Sequence, residues 1–411
     1  MRENDLIVAK EQYYSMDSYE TQLNNNVLVV GTSGSGKTRS IVSPNILQAY
    51  GSYVISDPKG NLYQKYRGYL KKKGYEVQKV DFVNPICSAG YNFFRYIRNK
   101  QDILKIAHML TYNQTSRNGL NKDPFWDQAT ELLLSSLIGY LWQFGTTDQQ
   151  NLENVLKLVS LCDIKEEYGS ITNPLDSMMN AAEERLPNCF AVKQYKRFRQ
   201  AASKTLKSIL ITTSAKLSKF DYPEMNRMLK KDEINFSSLG KSKKAVFVVV
   251  SDTDRSMDDL VNLFFSQAMN ELCSYADKYC DNQRLPVDVR FILDDFATNC
   301  CIDEFPRMIS SIRSRGISTM LMIQAESQLA NCYGYDGKTI IANCDTYVYM
   351  GGNDLETAQA VAARCDVPVK KILYMPVGTN WIFRRGQMPV NGVNFELDNY
   401  SMEKKKSDME R

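Results

Sequence analysis

An apolar tetrapeptide, Val27–Val30, runs straight into Gly31-Thr32-Ser33-Gly34-Ser35-Gly36-Lys37-Thr38, and no other feature constrains the chain as much. The glycines break the strand, and a helical pattern begins near Lys37. A strand, a glycine-rich turn and a helix in that order point backbone N–H groups at one spot, where the helix N-terminus adds partial positive charge. That is a cradle for phosphate oxygens. In the pattern G-x-x-x-x-G-K-[ST] the lysine reaches the β- and γ-phosphates and the hydroxyl ligates magnesium, which assigns those roles to Lys37 and Thr38. Gly31, Thr32, Ser33, Gly34, Ser35, Gly36, Lys37 and Thr38 are thus expected to bind ATP with Mg2+. The alternative is a plain Gly/Ser turn before a helix.

A second motif has the right chemistry to complete such a site. The apolar run Val289–Leu293 ends in Asp294 and Asp295, which places two acids at the carboxyl edge of a sheet. There Asp294 would hold magnesium through water, and Asp295 would orient or deprotonate the attacking water. The competing reading has both acids only capping the next turn. Further on, Ile312-Arg313-Ser314-Arg315-Gly316 precedes an apolar strand that ends in Gln324. An amide at the tip of the strand next to the acids can touch the γ-phosphate. An arginine on a nearby surface can complete a neighbouring subunit's site. Arginines in such positions are also commonly solvated.

Short runs rich in β-branched residues recur at 52–56, 77–82, 245–251, 319–323 and 346–350, with an edge strand expected at 380–383. Most are apolar on both faces, as buried parallel strands are, and helical patterns separate them. The fold class is therefore α/β, with a mainly parallel, doubly covered sheet. Across 99–201 the β signal vanishes, and Phe125, Ala129, Leu132, Leu133, Leu137 and Leu141 fall at helical spacing. This predicts an inserted all-α domain at 99–201, a core formed by 1–98 and 202–400, and a charged, disordered tail at 401–411. Ser56-Asp57-Pro58-Lys59-Gly60 reads as a strand-end turn. A helix over 193–207 carries six basic residues, a stripe suited either to phosphates or to solvent.

Composition sets outer limits. The 51 basic and 47 acidic residues leave a net charge of +4, so a basic surface for nucleic acid would have to be local. Ten cysteines with no CxxC pair read as reduced residues of a cytosolic protein. A single histidine, His108, excludes multi-histidine metal sites and argues against a Ser-His-Asp triad. Residues 1–26 are polar and contain acids, unlike a secretory leader, and the longest apolar stretch, 132–144, is too short to span a bilayer.

Several of these segments together resemble the type IV secretion coupling proteins, the TraG/TraD-like ATPases of conjugative DNA transfer. They are the loop 31–38, Ser56-Asp57-Pro58-Lys59-Gly60, Asp123-Pro124-Phe125-Trp126, Asp294-Asp295, Ile312-Arg313-Ser314-Arg315-Gly316 with Gln324 and Gln328, and Arg385-Gly386-Gln387. The resemblance spans about residues 20 to 390. It implies a RecA-like P-loop NTPase core with an all-α insertion, assembled as a homo-hexamer that couples ATP hydrolysis to moving DNA. It also implies relaxase or relaxosome partners, a type IV secretion channel or a separate anchoring subunit, and a cytoplasmic place at the inner membrane face. Arg313 then takes an arginine-finger role and Gln324 a nucleotide-sensing role. Two departures stand out: such proteins typically begin with transmembrane helices, and Asp295 stands where glutamate is usual. Two other functions fit the same residues, an FtsK/HerA-like DNA pump and a nucleotide-gated docking platform with little turnover.

Overall fold

The computed structural model describes residues 1–112, 124–162, 165–167, 170–298 and 300–401. Asp123 and the charged tail expected at 401–411, from residue 402 onward, lie outside the described residues. The backbone forms two compact units. The first comprises Met1–Val80, Asn235–Arg255 and Ala268–Arg411; the second comprises Asp81–Ile234 with Ser256–Gln267.

The strands of the chain are β1 (Asp5–Ala9), β2 (Gln12–Ser15), β3 (Val27–Val30), β4 (Ser52–Asp57), β5 (Glu76–Asp81), β6 (Lys165–Glu167), β7 (Ser170–Thr172), β8 (Lys244–Val249), β9 (Val289–Leu293), β10 (Ile317–Ile323), β11 (Thr346–Tyr349), β12 (Thr379–Arg384) and β13 (Val390–Val393). Nine of them make the central sheet of the first unit, in the order β13-β12-β11-β3-β10-β9-β4-β8-β5. Pairing is parallel from β11 through β3, β10, β9 and β4 to β8, and antiparallel at the β12 and β13 edge. Every residue of β3, β4, β8 and β9 is buried, which is why these strands are apolar on both faces rather than alternating. β10 lies between β3 and β9, so the strand bearing Gln324 separates the glycine-rich loop from the paired acids.

The hairpin of β1 and β2 was not foreseen. Its two-residue turn at Lys10 and Glu11 puts Glu11 at φ 58° without the glycine or asparagine that usually marks such a turn. Asn45 anchors the hairpin, accepting from Ile7 N–H at 3.1 Å and donating to the Ile7 carbonyl at 2.7 Å.

The second unit is mainly helical. Asn99, Asn151 and Asn173 each accept a backbone N–H at the start of the helices Lys100–Thr111, Leu152–Leu161 and Pro174–Arg185. The helix Phe125–Phe144 buries Ala129, Leu133, Leu137 and Leu141 as the spacing predicts, while Phe125 stays exposed at its first turn. Ser136 ties this helix to Phe190–Phe198, donating to the Ala191 carbonyl at 2.9 Å. The block expected at 99–201 lies inside this unit, which extends beyond it at both ends. An antiparallel pair, β6 with β7, interrupts the helices. Its strands are three residues long, too short to register as a β pattern in the sequence.

The helix expected over 193–207 is corrected to two. Phe190–Phe198 ends, Ala202 adopts extended backbone at φ −63° and ψ 154°, and Ser203–Leu217 begins anew. The basic residues are also drawn to local acids, Arg199 to Asp176 at 3.1 Å and Lys196 to Glu183 at 3.1 Å. The break splits the stripe between two helix faces.

Candidate functional site

The carboxyl edge of the sheet gathers most of the residues singled out in the sequence. Gly31 N–H donates to the carbonyl of Ile323 at the tip of β10, and Thr32 N–H to Gly351 just beyond β11, so strands on both sides pin the loop. Within the loop Gly34 and Gly36 take φ of 81° and 92°, conformations that L side chains rarely adopt. Among the described residues the N–H groups of these two glycines find no acceptor, and the buried Ser35 hydroxyl has no partner. A loop of unpartnered donors of this kind suits an oxyanion.

Lys37 is 7% exposed, and its ammonium donates to the carbonyls of Gly31 at 2.5 Å and Thr32 at 3.2 Å. Burial pulls its pKa below the ordinary lysine value, and the charges of Asp295 and Asp294 oppose that fall. Downstream, Pro44 explains the start of the helix. It has no N–H for the Ser40 carbonyl, and the turn before it, Thr38–Val42, widens to π geometry, with Ser43 N–H reaching back to Thr38.

The hydroxyl of Thr38 donates to Asp294 Oδ2 at 2.8 Å, joining two motifs 256 residues apart. Asp294 is buried, and that burial pushes its pKa above the usual carboxylate value; the Thr38 hydrogen bond pulls it back and the neighbouring Asp295 adds to the rise. From β4, Ser56 donates to the Asp294 carbonyl at 3.3 Å and fixes the backbone there. Asp295 follows with φ 52°, turning the chain sharply at the strand tip. Gln324 is exposed at the tip of β10, and its N–H donates to the Gln328 side chain at 2.7 Å. The amide of Gln328 in turn donates to Thr298 at 3.1 Å, so one glutamine links the β10 tip to the loop behind the acids.

Arg313 is not brought to this edge. It sits on the turn Arg313–Arg315 before β10 and donates to the Ser18 carbonyl at 3.2 Å. The seven residues of β10 separate it from Gln324, about 20 Å at 3.3 Å per residue. Arg315 is held by both oxygens of Asp277, at 2.7 and 2.9 Å. Asp57 accepts from Tyr63 N–H at 2.8 Å and so anchors the helix Asn61–Lys72, in line with the strand-end turn expected of 56–60.

Sequence reasoning missed the support behind the loop. Asn394, past β13, donates to the Ser35 carbonyl at 3.3 Å and is itself held by Asn380 of β12 at 2.9 Å. Two lone asparagines, one in β12 and one just past β13, carry no pattern that would mark them from the sequence. Among the described residues no group of three or more His, Cys, Asp and Glu is placed to hold a metal ion by itself. The pair of Thr38 and Asp294 offers two oxygens of the hard type that magnesium prefers.

Residues 2–365 match the family model described as type IV secretory system conjugative DNA transfer. The chain belongs to this family. Solved structures with the same fold include the conjugative coupling protein TrwBdeltaN70 with sulphate, at 18% identity and TM-score 0.66, covering 90% of this chain and 85% of that one. TrwB in complex with ADP and Mg2+ matches at 17% and 0.66, covering 90% and 86%. VirB4 of Thermoanaerobacter pseudethanolicus is more remote, at 12% and 0.55 over 97% of both chains. Comparison with curated sequences gives no match. The P-loop α/β fold expected from the motifs is thus the fold of the family's known structures. No helix among the described residues is long and apolar enough to cross a membrane.

Proposed function

We propose that this chain is an ATPase that drives DNA toward a type IV secretion channel, with ATP and Mg2+ held at the carboxyl edge of the sheet. One observation carries the reading: the 2.8 Å hydrogen bond from Thr38 to Asp294, which joins the glycine-rich loop to the acidic strand at a single point. The TrwB structures with ADP and Mg2+ and with a non-hydrolysable ATP analogue support it, because the fold is shared.

The loop 31–38 would receive the phosphates, Lys37 would meet the β- and γ-oxygens, and Thr38 with Asp294 would hold magnesium. Magnesium, when bound, neutralises charge on the phosphate oxygens. Asp295 orients or deprotonates the attacking water, and its carboxylate is one C–C bond, about 1.5 Å, shorter in reach than a glutamate's. Gln324 reads the state of the γ-phosphate and passes it through Gln328 to the loop at Thr298. Arg313, remote from its own site, serves the site of a neighbouring copy in a homo-hexameric ring. The relaxase-bound DNA strand is the cargo, and the helical unit recognises relaxosome proteins at the inner membrane face.

Mg-ATP should raise the melting temperature of the native chain, because a ligand that binds only the folded state shifts the equilibrium by mass action. Lys37→Ala should lose most of that rise with its ligand-free melt unchanged. An equal rise in both proteins would remove the loop from the site.

A further inference from the structure

The amino edge of the same sheet holds a second concentration of positive charge. Arg290 is the second residue of β9, and its side chain is 4% exposed. Its Nε donates to Ser318 at 3.3 Å, and its buried Nη2 has no hydrogen-bond partner among the described residues. A guanidinium taken out of water with a donor unused is costly unless an anion completes it.

Arg290 lines a pocket together with Arg284, Arg313, Asp288 and Ser318. Asp288 is the one acid among the lining residues, and Arg284 already claims it at 2.7 Å. Three cations therefore share one carboxylate. Asp17 is near, but its side chain accepts from Tyr19 and Glu20 N–H at the start of the helix Ser18–Thr21. Burial pulls the pKa of Arg290 below its ordinary value, yet arginine stays charged at neutral pH.

The backbone is shaped to the pocket. Gly316 has φ 74°, and a Cβ there would stand 2.6 Å from Asp288 Oδ1. The glycine that closes Arg313-Ser314-Arg315-Gly316 thus lets the acid and the arginines converge. The inner space, about 20 Å³, has room for one inserted oxygen atom and not for a nucleoside, so the rest of a phosphate would sit at the mouth. Arg284, Asp288 and Arg313 are partly exposed, so the mouth faces solvent.

We propose that this pocket is a second oxyanion site that takes a single phosphate group between Arg284, Arg290 and Arg313, at the opposite edge of the sheet from the glycine-rich loop. Planar guanidinium groups match phosphate geometry, and a buried one is pre-organised. The phosphate comes either as the free ion or as a backbone group of nucleic acid, and the two share the chemistry. The assignment uses only the pocket's own residues and stands whether or not the loop 31–38 binds ATP.

The test is calorimetry on the full chain, titrating inorganic phosphate against a chloride control of matched ionic strength. One arm has the loop filled with Mg-ADP and a second uses Lys37→Ala without nucleotide. A third arm titrates a short oligothymidylate. A saturable one-to-one signal should persist in both phosphate arms if the free ion is the ligand, and appear in the oligonucleotide arm if the backbone is. Arg290→Met should weaken whichever signal is seen at least tenfold, and its fold should survive because a buried unpaired charge is replaced by an apolar chain. Arg313→Gln, at a partly exposed position, should weaken it too, whereas Arg315→Gln, outside the pocket and paired with Asp277, should not. No saturable signal from either ligand, or a signal indifferent to both Arg290→Met and Arg313→Gln, would overturn the site. A native chain that binds no ADP would instead count against the loop, since the Lys37→Ala arm reads the pocket alone.

Discussion

Asp57 shows how much a single buried acid can do for a helix. Its carboxylate sits at the end of β4 and accepts backbone N–H groups at the start of Asn61–Lys72, yet burial raises its pKa above the usual carboxylate value more than those bonds lower it. A folded-state pKa above the unfolded one means that the folded chain holds the proton more tightly. Its contribution is therefore fully present below the ordinary value near 4 and declines as pH rises through the folded pKa. Asp57→Asn keeps an acceptor for Tyr63 and removes the titration. Measured as melting temperature from pH 4 to 8, the native chain should lose stability relative to the variant as pH rises, by a few degrees at most. A difference that is flat, or that moves the other way, would contradict the account. At this scale the site residues with a motif were legible: Lys37, Thr38 and Asp294 converge because each stands at the end of a strand or the start of a helix whose sequence marks it. Ser56, Asn380 and Asn394 were not, because a lone polar residue that holds a backbone carbonyl leaves no pattern.

The elements were read well where burial on both faces made continuous apolar runs, as in β3, β4, β8 and β9. They were read poorly where a turn used an ordinary residue in left-handed backbone, as Glu11 does between β1 and β2, or where strands were only three residues long, as in β6 and β7. The helix Ser327–Tyr333 allows an element-scale prediction. Gln328 on its first turn joins the N–H of Gln324 to Thr298, so Gln328→Ala should uncouple the β10 tip from the loop of the acids. Partly buried and neutral, this link is worth about 1 kcal/mol to stability. If the full worth of the link is felt in the transition state, steady-state kinetics should show turnover falling about fivefold, with the KM for ATP within about twofold. Loss of binding with turnover intact would mean that Gln328 serves the phosphates directly. The split basic stripe gives a second. Arg197 faces Gln194 at 3.1 Å and Lys196 faces Glu183, so neither is committed to a strong buried pair. If this end of Phe190–Phe198 meets DNA phosphates, reversing both to glutamate should weaken binding and lower the salt slope by about 2. Unchanged affinity and slope would make it a solvated face.

At the scale of the whole molecule, the position of Arg313 bears on the proposed sharing of the site between copies. With β10 between it and its own Gln324, an Arg313 that acts as the proposed arginine finger would do so in a neighbouring copy, where such a finger is worth on the order of a thousandfold. Arg313→Ala should suppress turnover with ATP affinity nearly intact. Mixed with Lys37→Ala in co-assembled rings it should regain activity, because each variant supplies what the other lacks. No recovery in rings shown to contain both would remove Arg313 from the reaction between subunits. The parallel sheet and the phosphate loop of this molecule were legible from one octapeptide and seven apolar runs. The extent of the helical unit was not, since its boundaries at Asp81 and Ile234 follow from packing and not from composition.

In the proposed function, nucleotide hydrolysis serves the movement of DNA. The most direct measurement is the steady-state ATPase rate of the full chain with and without single-stranded and double-stranded DNA, at fixed low salt and with Lys37→Ala as the blank. The rate should rise severalfold or more with DNA, fall back as salt releases the strand, and be absent in the Lys37→Ala blank. A native chain that binds Mg-ATP but turns over no faster with either form of DNA than without would contradict it, and would identify the protein as a nucleotide-gated platform.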